Sequence, residues 1–187
     1  QDPDPVSVSP PNQPDVRLVV ARQAVEEFVL TGRRLVLDEP VADEVRTPAA
    51  AFVTLKKHGE LRGCIGTLLP TCTNQLQEVA QNAVSACSRD PRFPPVTAQE
   101  LPDLDNQVYI LGQPEPVAGL DDLDPQRYGV IVRKHGRSGV LLPALQGVDT
   151  PQLQVAIACR KAGLDPGEVP DLERFEVRTW SESPEPS

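Results

Sequence analysis

Two predicted β-hairpins constrain the fold of this chain more than any other feature. Apolar runs at 50–56 and 61–69 flank the turn at 57–60, and runs at 128–134 and 140–142 flank the turn at 135–139. Strands joined by such short turns are antiparallel. A doubly wound parallel sheet would require strands and helices to alternate strictly, and here they do not. The sequence therefore predicts an α+β fold with a mostly antiparallel sheet flanked by helices.

Capping residues delimit three predicted helices around these hairpins. Ser, Thr, Asp and Asn favour the position before a helix, and Gly favours the position after it. The helices run from Asp15 to about Leu30, from Thr73 or Asn74 to about Ser88, and from Thr150 to Gly163. Two more strands are predicted at 107–111 and 173–180. Residues 37–48 are expected to form a loop, and residues 92–95 an extended segment.

The length of 187 residues favours one domain. Its predicted limits are residues 15–181. The polar, Pro-rich residues 1–14 and the residues 182–187 are expected to be disordered tails.

Charge and cysteine content narrow the class of protein. A net charge of -9 argues against nucleic-acid binding, which needs a basic surface. No apolar run approaches the roughly 20 residues that span a bilayer, so no membrane segment is predicted. The four cysteines include no CxxC pair, and the two histidines complete no zinc spacing. We expect reduced thiols in the cytoplasm, without metal or cofactor. No signal peptide is visible, although a chain that begins at Gln1 and lacks Met does not exclude a cleaved one.

The segment 61–67 is the strongest candidate for a functional site. Strand alternation places Arg62, Cys64 and Gly66 on one face, with about 7 Å between the first two at roughly 3.3 Å per residue. A nearby guanidinium favours the thiolate, and Gly66 would leave space above the sulfur. The alternative is structural: Cys64 is a small buried hydrophobe, and the glycines mark a bulge or a close backbone crossing.

The second candidate segment offers two cations, a carboxylate and an aromatic ring. It contains Arg89, Asp90, Arg92 and Phe93. Such a segment suits the rim of a ligand site, or it is a helix exit pinned by the aromatic ring. Because a nucleophilic cysteine usually needs a base, the histidines matter too. His58 and His135 both fall on hairpin turns, and neither forms a convincing dyad with a cysteine.

Several segments together resemble the AMMECR domain family. They are residues 61–67, 89–97, 128–134, 139–143, 158–163 and 174–177, and the likeness spans about residues 15–180. The resemblance implies an α+β fold with a larger and a smaller lobe and with the cysteine motif near the cleft between them. It is closest to the bacterial branch, whose members occur beside or fused to Memo-like and radical SAM proteins. His135 departs from the Lys-Gly-Gly-Arg turn of many members. The resemblance implies no established activity.

Three functions follow as hypotheses. In the first, Cys64 is a nucleophile, Arg62 stabilises its thiolate, and main-chain N–H groups bind an oxyanion. In the second, which we favour, the same groove is a non-catalytic binding site for a peptide, a small ligand or the two partner proteins. Its predicted binding residues are Gly63, Ile65, Gly66, Thr67, Arg89, Asp90, Arg92 and Phe93. The third, nucleic-acid binding, conflicts with the net charge. The oligomeric state is not predicted.

Overall fold

The computed structural model describes residues 14–183, so most of both predicted tails lies outside the described residues. Within that range the helices are α1 (Val16–Thr31), α2 (Asp43–Arg46), α3 (Gln75–Ser88) and α4 (Pro151–Ala162). The strands are β1 (Ala51–Lys57), β2 (Glu60–Gly66), β3 (Leu104–Leu111), β4 (Glu115–Val117), β5 (Gly129–Lys134), β6 (Arg137–Leu141), β7 (Asp171–Phe175) and β8 (Val177–Ser181). Short 3-10 helices occupy Ala98–Asp103 and Leu120–Asp122. The strands form two antiparallel sheets flanked by helices, which confirms the predicted α+β class.

The first compact unit comprises the chain up to Tyr109 and again from Thr179. Its sheet has the order β2-β1-β3-β8, and α3 packs against α1, β1 and β2. The apolar side chains of Val53, Leu55 and Val79 are fully buried in this core. Strand β2, which carries the cysteine motif, lies at one edge of this sheet.

Caps set the limits of the first-unit helices as the sequence predicts. The Asp15 side chain accepts the N–H of Arg17, and α1 ends at Gly32, whose φ of 74° lies in the left-handed region. Asn74 caps α3 by accepting the N–H of Gln77. The apolar side chains of α3 form a buried stripe, and Cys87, which is 2% exposed, is one of its core residues.

The second unit comprises residues 110–178, and its sheet has the order β4-β7-β5-β6. Helix α4 packs against β5 and β6. Val130 and Val132 of β5 meet Ala158 and Ala162 of α4 in the core of this unit. Thr150 caps α4, and Gly163 ends it with a φ of 74°. None of the described helices is long and apolar enough to cross a membrane.

Three local predictions need correction. The strand predicted at 173–180 is two strands, β7 and β8, in different sheets, and Glu176 between them accepts the N–H of Gly112 at 2.8 Å. The predicted loop 37–48 contains α2, a single helical turn that buries the side chain of Val45. Residues 91–93 form a turn, in which Phe93 N–H binds the Asp90 carbonyl.

The described C-terminal residues are bound to the first unit. Ser181 is the last residue of β8, and the Glu182 carboxylate lies 2.6 Å from the Nε of Arg22. Glu182 also accepts the side-chain N–H of Asn106 at 2.6 Å. These contacts fix Glu182 within the first unit because its charge is paired there.

Each unit contains a hairpin of the same local construction. Both turns carry a His-Gly pair in the left-handed region, at His58-Gly59 and at His135-Gly136. In each hairpin a glycine of the second strand lies against a helix, so a Cβ at that position would overlap a helix carbonyl. Gly63 meets the carbonyl of Ala86 in this way, and Gly139 meets the carbonyl of Ala158. Glycine is required at both positions because the backbones approach so closely.

Candidate functional site

The two candidate segments meet at the main chain of Cys64. One carboxylate oxygen of Asp90 accepts the Cys64 N–H at 3.0 Å. The Arg92 guanidinium donates to the Cys64 carbonyl at 3.4 Å. Both main-chain groups of Cys64 are therefore bound by side chains on the open side of the edge strand, where a further strand would otherwise pair. We call residues 62–67 and 89–93 together the Cys64 surface.

Asp90 is the anchor of this arrangement. It is only 4% exposed, and it accepts the Arg92 N–H and Nε, each at 3.0 Å, and Nη2 at 2.8 Å. The hydrogen bonds from Arg92 hold the pKa of the Asp90 carboxyl well below its ordinary value, and the Cys64 N–H adds to the effect. The same pair raises the pKa of Arg92. Asp90 is therefore ionised at neutral pH and keeps both segments in place.

The Cys64 thiol is half-buried and bonded to its neighbour across the ladder. Cys64 pairs with Thr54 in β1, and the Thr54 hydroxyl donates to the sulfur at 3.1 Å. Thr54 itself is buried. The Thr54 hydroxyl thus holds the Cys64 sulfur in place, whether the thiol is structural or reactive.

Arg62 lies at a β-bulge, and its side chain forms an ion pair with Glu100. The register between β1 and β2 shifts at Leu55 and Lys56, which leaves Arg62 without a directly opposite residue. Bulges bend a strand and redirect its side chains. The Arg62 guanidinium binds both carboxylate oxygens of Glu100, at 2.9 and 3.1 Å, and Lys57 binds Glu100 at 3.1 Å. These cations, Arg62 first, lower the pKa of Glu100 to about 2.

The predicted role of Arg62 beside the thiol therefore stays a prediction, whereas Arg92 is the arginine that contacts the Cys64 main chain. The sequence analysis did not identify Glu100 as a partner of Arg62. The one sequence signal at Glu100 is local: in the structure it forms a capping box with Thr97, in which each side chain bonds the main chain of the other residue.

The two glycines of the motif have different structural reasons. Gly63 allows β2 to approach the carbonyl of Ala86 on α3. Gly66 lies under the Phe52 ring, which occupies the place that a side chain at position 66 would take. The expected space above the Cys64 sulfur stays a prediction. An aromatic ring packed over a glycine of the neighbouring strand stabilises that pair. Ile65 is half-buried opposite Val53.

Thr67 belongs to a buried polar network that the sequence analysis did not foresee. Glu78 of α3 is fully buried, and its carboxylate accepts the hydroxyls of Thr67 and Thr71 at 3.0 and 2.7 Å. It also accepts the main-chain N–H groups of Thr71 and Cys72 at 2.6 and 3.1 Å. Four donors compensate the cost of burying this group. Glu78 thereby fixes the loop that follows the cysteine motif.

Phe93 and Arg89 complete the Cys64 surface. The Phe93 ring lies between two guanidinium groups, 6.0 Å from that of Arg62 and 5.4 Å from that of Arg92. Both distances fall within the range of cation–π attraction. The Arg92 side chain is 55% exposed, and Arg89 is exposed at the end of α3. This surface therefore presents positive charge beside an aromatic ring.

Both histidines lie at hairpin tips, and each is near one carboxylate. His58 lies 3.9 Å from Asp103, and His135 lies 3.6 Å from Glu168 in the second unit. His58 follows the last residue of β1, and β2 runs from Glu60 for four further residues to Cys64, roughly 13 Å at about 3.3 Å per residue. The first hairpin therefore does not bring its own histidine to the thiol.

Comparisons with known proteins agree with this fold. A protein from Thermotoga maritima is 49% identical over 146 residues, which cover 77% of this chain and 84% of that protein. A Clostridium acetobutylicum protein is 40% identical over 171 residues, and the match covers 90% of this chain but only 36% of that longer protein. The crystal structure of an uncharacterized protein from Pyrococcus horikoshii superposes with a TM-score of 0.83 at 29% identity and covers 90% of each chain. The sequence model of AMMECR1 matches residues 18–180, so the chain belongs to the AMMECR1 family.

Proposed function

We propose that this chain is a binding module that recognises a partner protein through the Cys64 surface and performs no catalysis itself. The observation that carries the proposal is the closure of Asp90 and Arg92 on the Cys64 main chain. It makes two distant segments one fixed surface, on which an exposed guanidinium stands beside the Phe93 ring. Arginine and aromatic side chains supply most of the energetic anchors of protein interfaces.

The resemblance to the bacterial branch suggests the partners, a Memo-like protein and a radical SAM protein. The length of the Clostridium acetobutylicum relative supports a module that works beside other domains, because there the matched region is joined to a longer chain. We place the protein in the cytoplasm, since all four cysteines are free thiols. Its charge of -9 speaks against nucleic acid as the partner.

Calorimetry with the purified Memo-like and radical SAM proteins of the same organism tests the proposal. We expect Arg92→Ala and Phe93→Ala each to weaken binding at least tenfold, about 1.4 kcal/mol, because both remove anchors. Cys64→Ser should bind within about twofold of the parent chain, since the small change leaves the surface in place.

The matched control is Arg34→Ala, which removes an exposed arginine from a loop of the same unit. It should leave affinity unchanged. Undiminished binding by both the Arg92 and Phe93 variants would exclude the Cys64 surface as the interface. Failure of both proteins to bind the parent chain would exclude them as the partners.

A thiol-dependent enzyme is the second candidate function. It is favoured by the hydrogen bond from Thr54 to the Cys64 sulfur, which orients a half-buried thiol. In this alternative Cys64 is the nucleophile and Arg62 stabilises its thiolate. The rate of iodoacetamide labelling at Cys64 against pH, read by mass spectrometry, distinguishes the two. An enzyme predicts labelling at pH 7 faster than that of a free thiol, and slower labelling argues for the binding module.

A further inference from the structure

Helix α4 carries one apolar stripe, formed by Val155, Ala158, Cys159 and Ala162 at spacings of three and four residues. Ala158 and Ala162 lie in the core of the second unit, and Val155 and Cys159 pack against that core but stay half-buried. Together with the exposed Ala156, these two side chains line the outer face of the helix. The unit itself therefore leaves part of the apolar stripe uncovered.

Two adjoining cavities lie along this outer face. One has a volume of about 560 Å³ and the other about 710 Å³. Leu120, Val155, Glu168 and Pro170 line both cavities, so we treat the two as one trough, the α4 trough. Sites for small molecules measure about 300–1,000 Å³. Each cavity alone falls within that range, and the two joined as one trough give room for an extended peptide.

The rim of the α4 trough is acidic. Its lining carboxylates are Asp165, Glu168, Asp171 and Glu173, and Arg160 is the one basic residue among the described lining residues. Part of this charge is offset within the unit, because Arg133 lies 3.7 Å from Glu173. Asp165 and Asp171 remain exposed. An occupant with positive charge complements this rim.

We propose that the α4 trough binds a short peptide segment of a partner protein in which apolar side chains are combined with lysine or arginine. The apolar side chains enter the trough beside Val155, and the basic side chains meet the carboxylates of its rim. The site lies entirely in the second unit and is separate from the Cys64 surface. The chain therefore offers two binding surfaces of different chemistry.

Cys159 provides a reporter within the trough. Its thiol is half-buried, and burial and the nearby Glu168 raise its pKa above the ordinary value. A bound peptide would cover it further. Site-resolved maleimide labelling of Cys159 should therefore slow at least fivefold when the peptide is saturating.

The probe is a fluorescent decapeptide of alternating leucine and lysine, measured by anisotropy against the full chain. Two companion peptides replace every lysine by glutamate, or every leucine by serine. Ala156→Arg fills the trough from an exposed helix position, and Leu153→Arg adds the same side chain to α4 outside the trough. We expect only Ala156→Arg to weaken binding of the leucine–lysine peptide, at least tenfold. The two companion peptides should bind at least tenfold more weakly to the parent chain.

Three outcomes would overturn the proposal. The first is equal weakening by both arginine variants, which would mean attraction to the acidic chain as a whole. The second is equal affinity for the serine–lysine peptide, which would remove the apolar component. The third is an unchanged labelling rate of Cys159 with saturating peptide, which would place the peptide elsewhere.

Discussion

Removal of the Asp90 carboxylate tests how the Cys64 surface is held together. In Asp90→Ala the N–H of Cys64 loses its acceptor, and Arg92 loses its ionic partner. A hydrogen bond to a charged group contributes about 1.5–3 kcal/mol. The ion pair itself contributes only about 0–1 kcal/mol because Arg92 is largely exposed. We therefore expect a loss of about 2–3 kcal/mol in the free energy of unfolding.

The structure also predicts an order among variants. Asp90→Asn keeps one oxygen acceptor for the Cys64 N–H and should lose about 1–2 kcal/mol. Arg92→Ala should lose less than about 1 kcal/mol, because its guanidinium is exposed and the carboxylate remains. Because the folded state depresses the pKa of Asp90, its contribution is present above the unfolded value of about 3.9 and is lost as the pH falls below it.

Urea unfolding measures this order. Trp180 is the only tryptophan of the chain and lies in the same unit as Asp90, so its fluorescence follows the unfolding of that unit. The slope of free energy against urea should stay constant across the variants. The control is Asp43→Ala, which removes an 88% exposed carboxylate paired with Arg46 and should change stability by less than about 0.5 kcal/mol. A loss in Arg92→Ala as large as that in Asp90→Ala would refute the reasoning.

Two further predictions concern the same unit. Gly63→Ala should lower the free energy of unfolding by about 1–3 kcal/mol, because its Cβ would overlap the main-chain carbonyl of Ala86. In Gly119→Ala, in the second unit, the added Cβ meets open space, so that variant should be neutral. Glu100, with a pKa of about 2, stabilises the fold above the unfolded value of about 4.3 and loses that contribution as the pH falls from there towards 2, so Glu100→Gln should lower stability at pH 7 by about 2–3 kcal/mol and flatten the acid limb of the stability curve. An acid limb of equal steepness in Glu100→Gln would contradict that assignment.

Local sequence patterns predict local structure, but they do not predict contacts between side chains that are distant in the sequence. The sequence predicts Asp15, and either Thr73 or Asn74, as helix caps because a cap acts on residues two or three positions away, and the structure has Asp15 and Asn74 there. The capping box of Thr97 and Glu100 is local in the same way. The ion pair of Glu100 with Arg62 joins residues 38 positions apart and leaves no periodic signal. The hydrogen bond between Asp90 and the Cys64 main chain is not predictable from the sequence for the same reason, although both candidate segments are visible in it.

The two hairpins share the glycine that lies against a helix, but they differ in the residue that follows it. In the first hairpin the residue after the close-contact glycine is Cys64, opposite Thr54; in the second it is Val140, opposite Ile131. A purely aliphatic pair thus suffices where a glycine-bearing strand crosses a helix. The second hairpin therefore indicates that a strand can cross a helix in this way without the sulfur of Cys64 or the hydroxyl of Thr54.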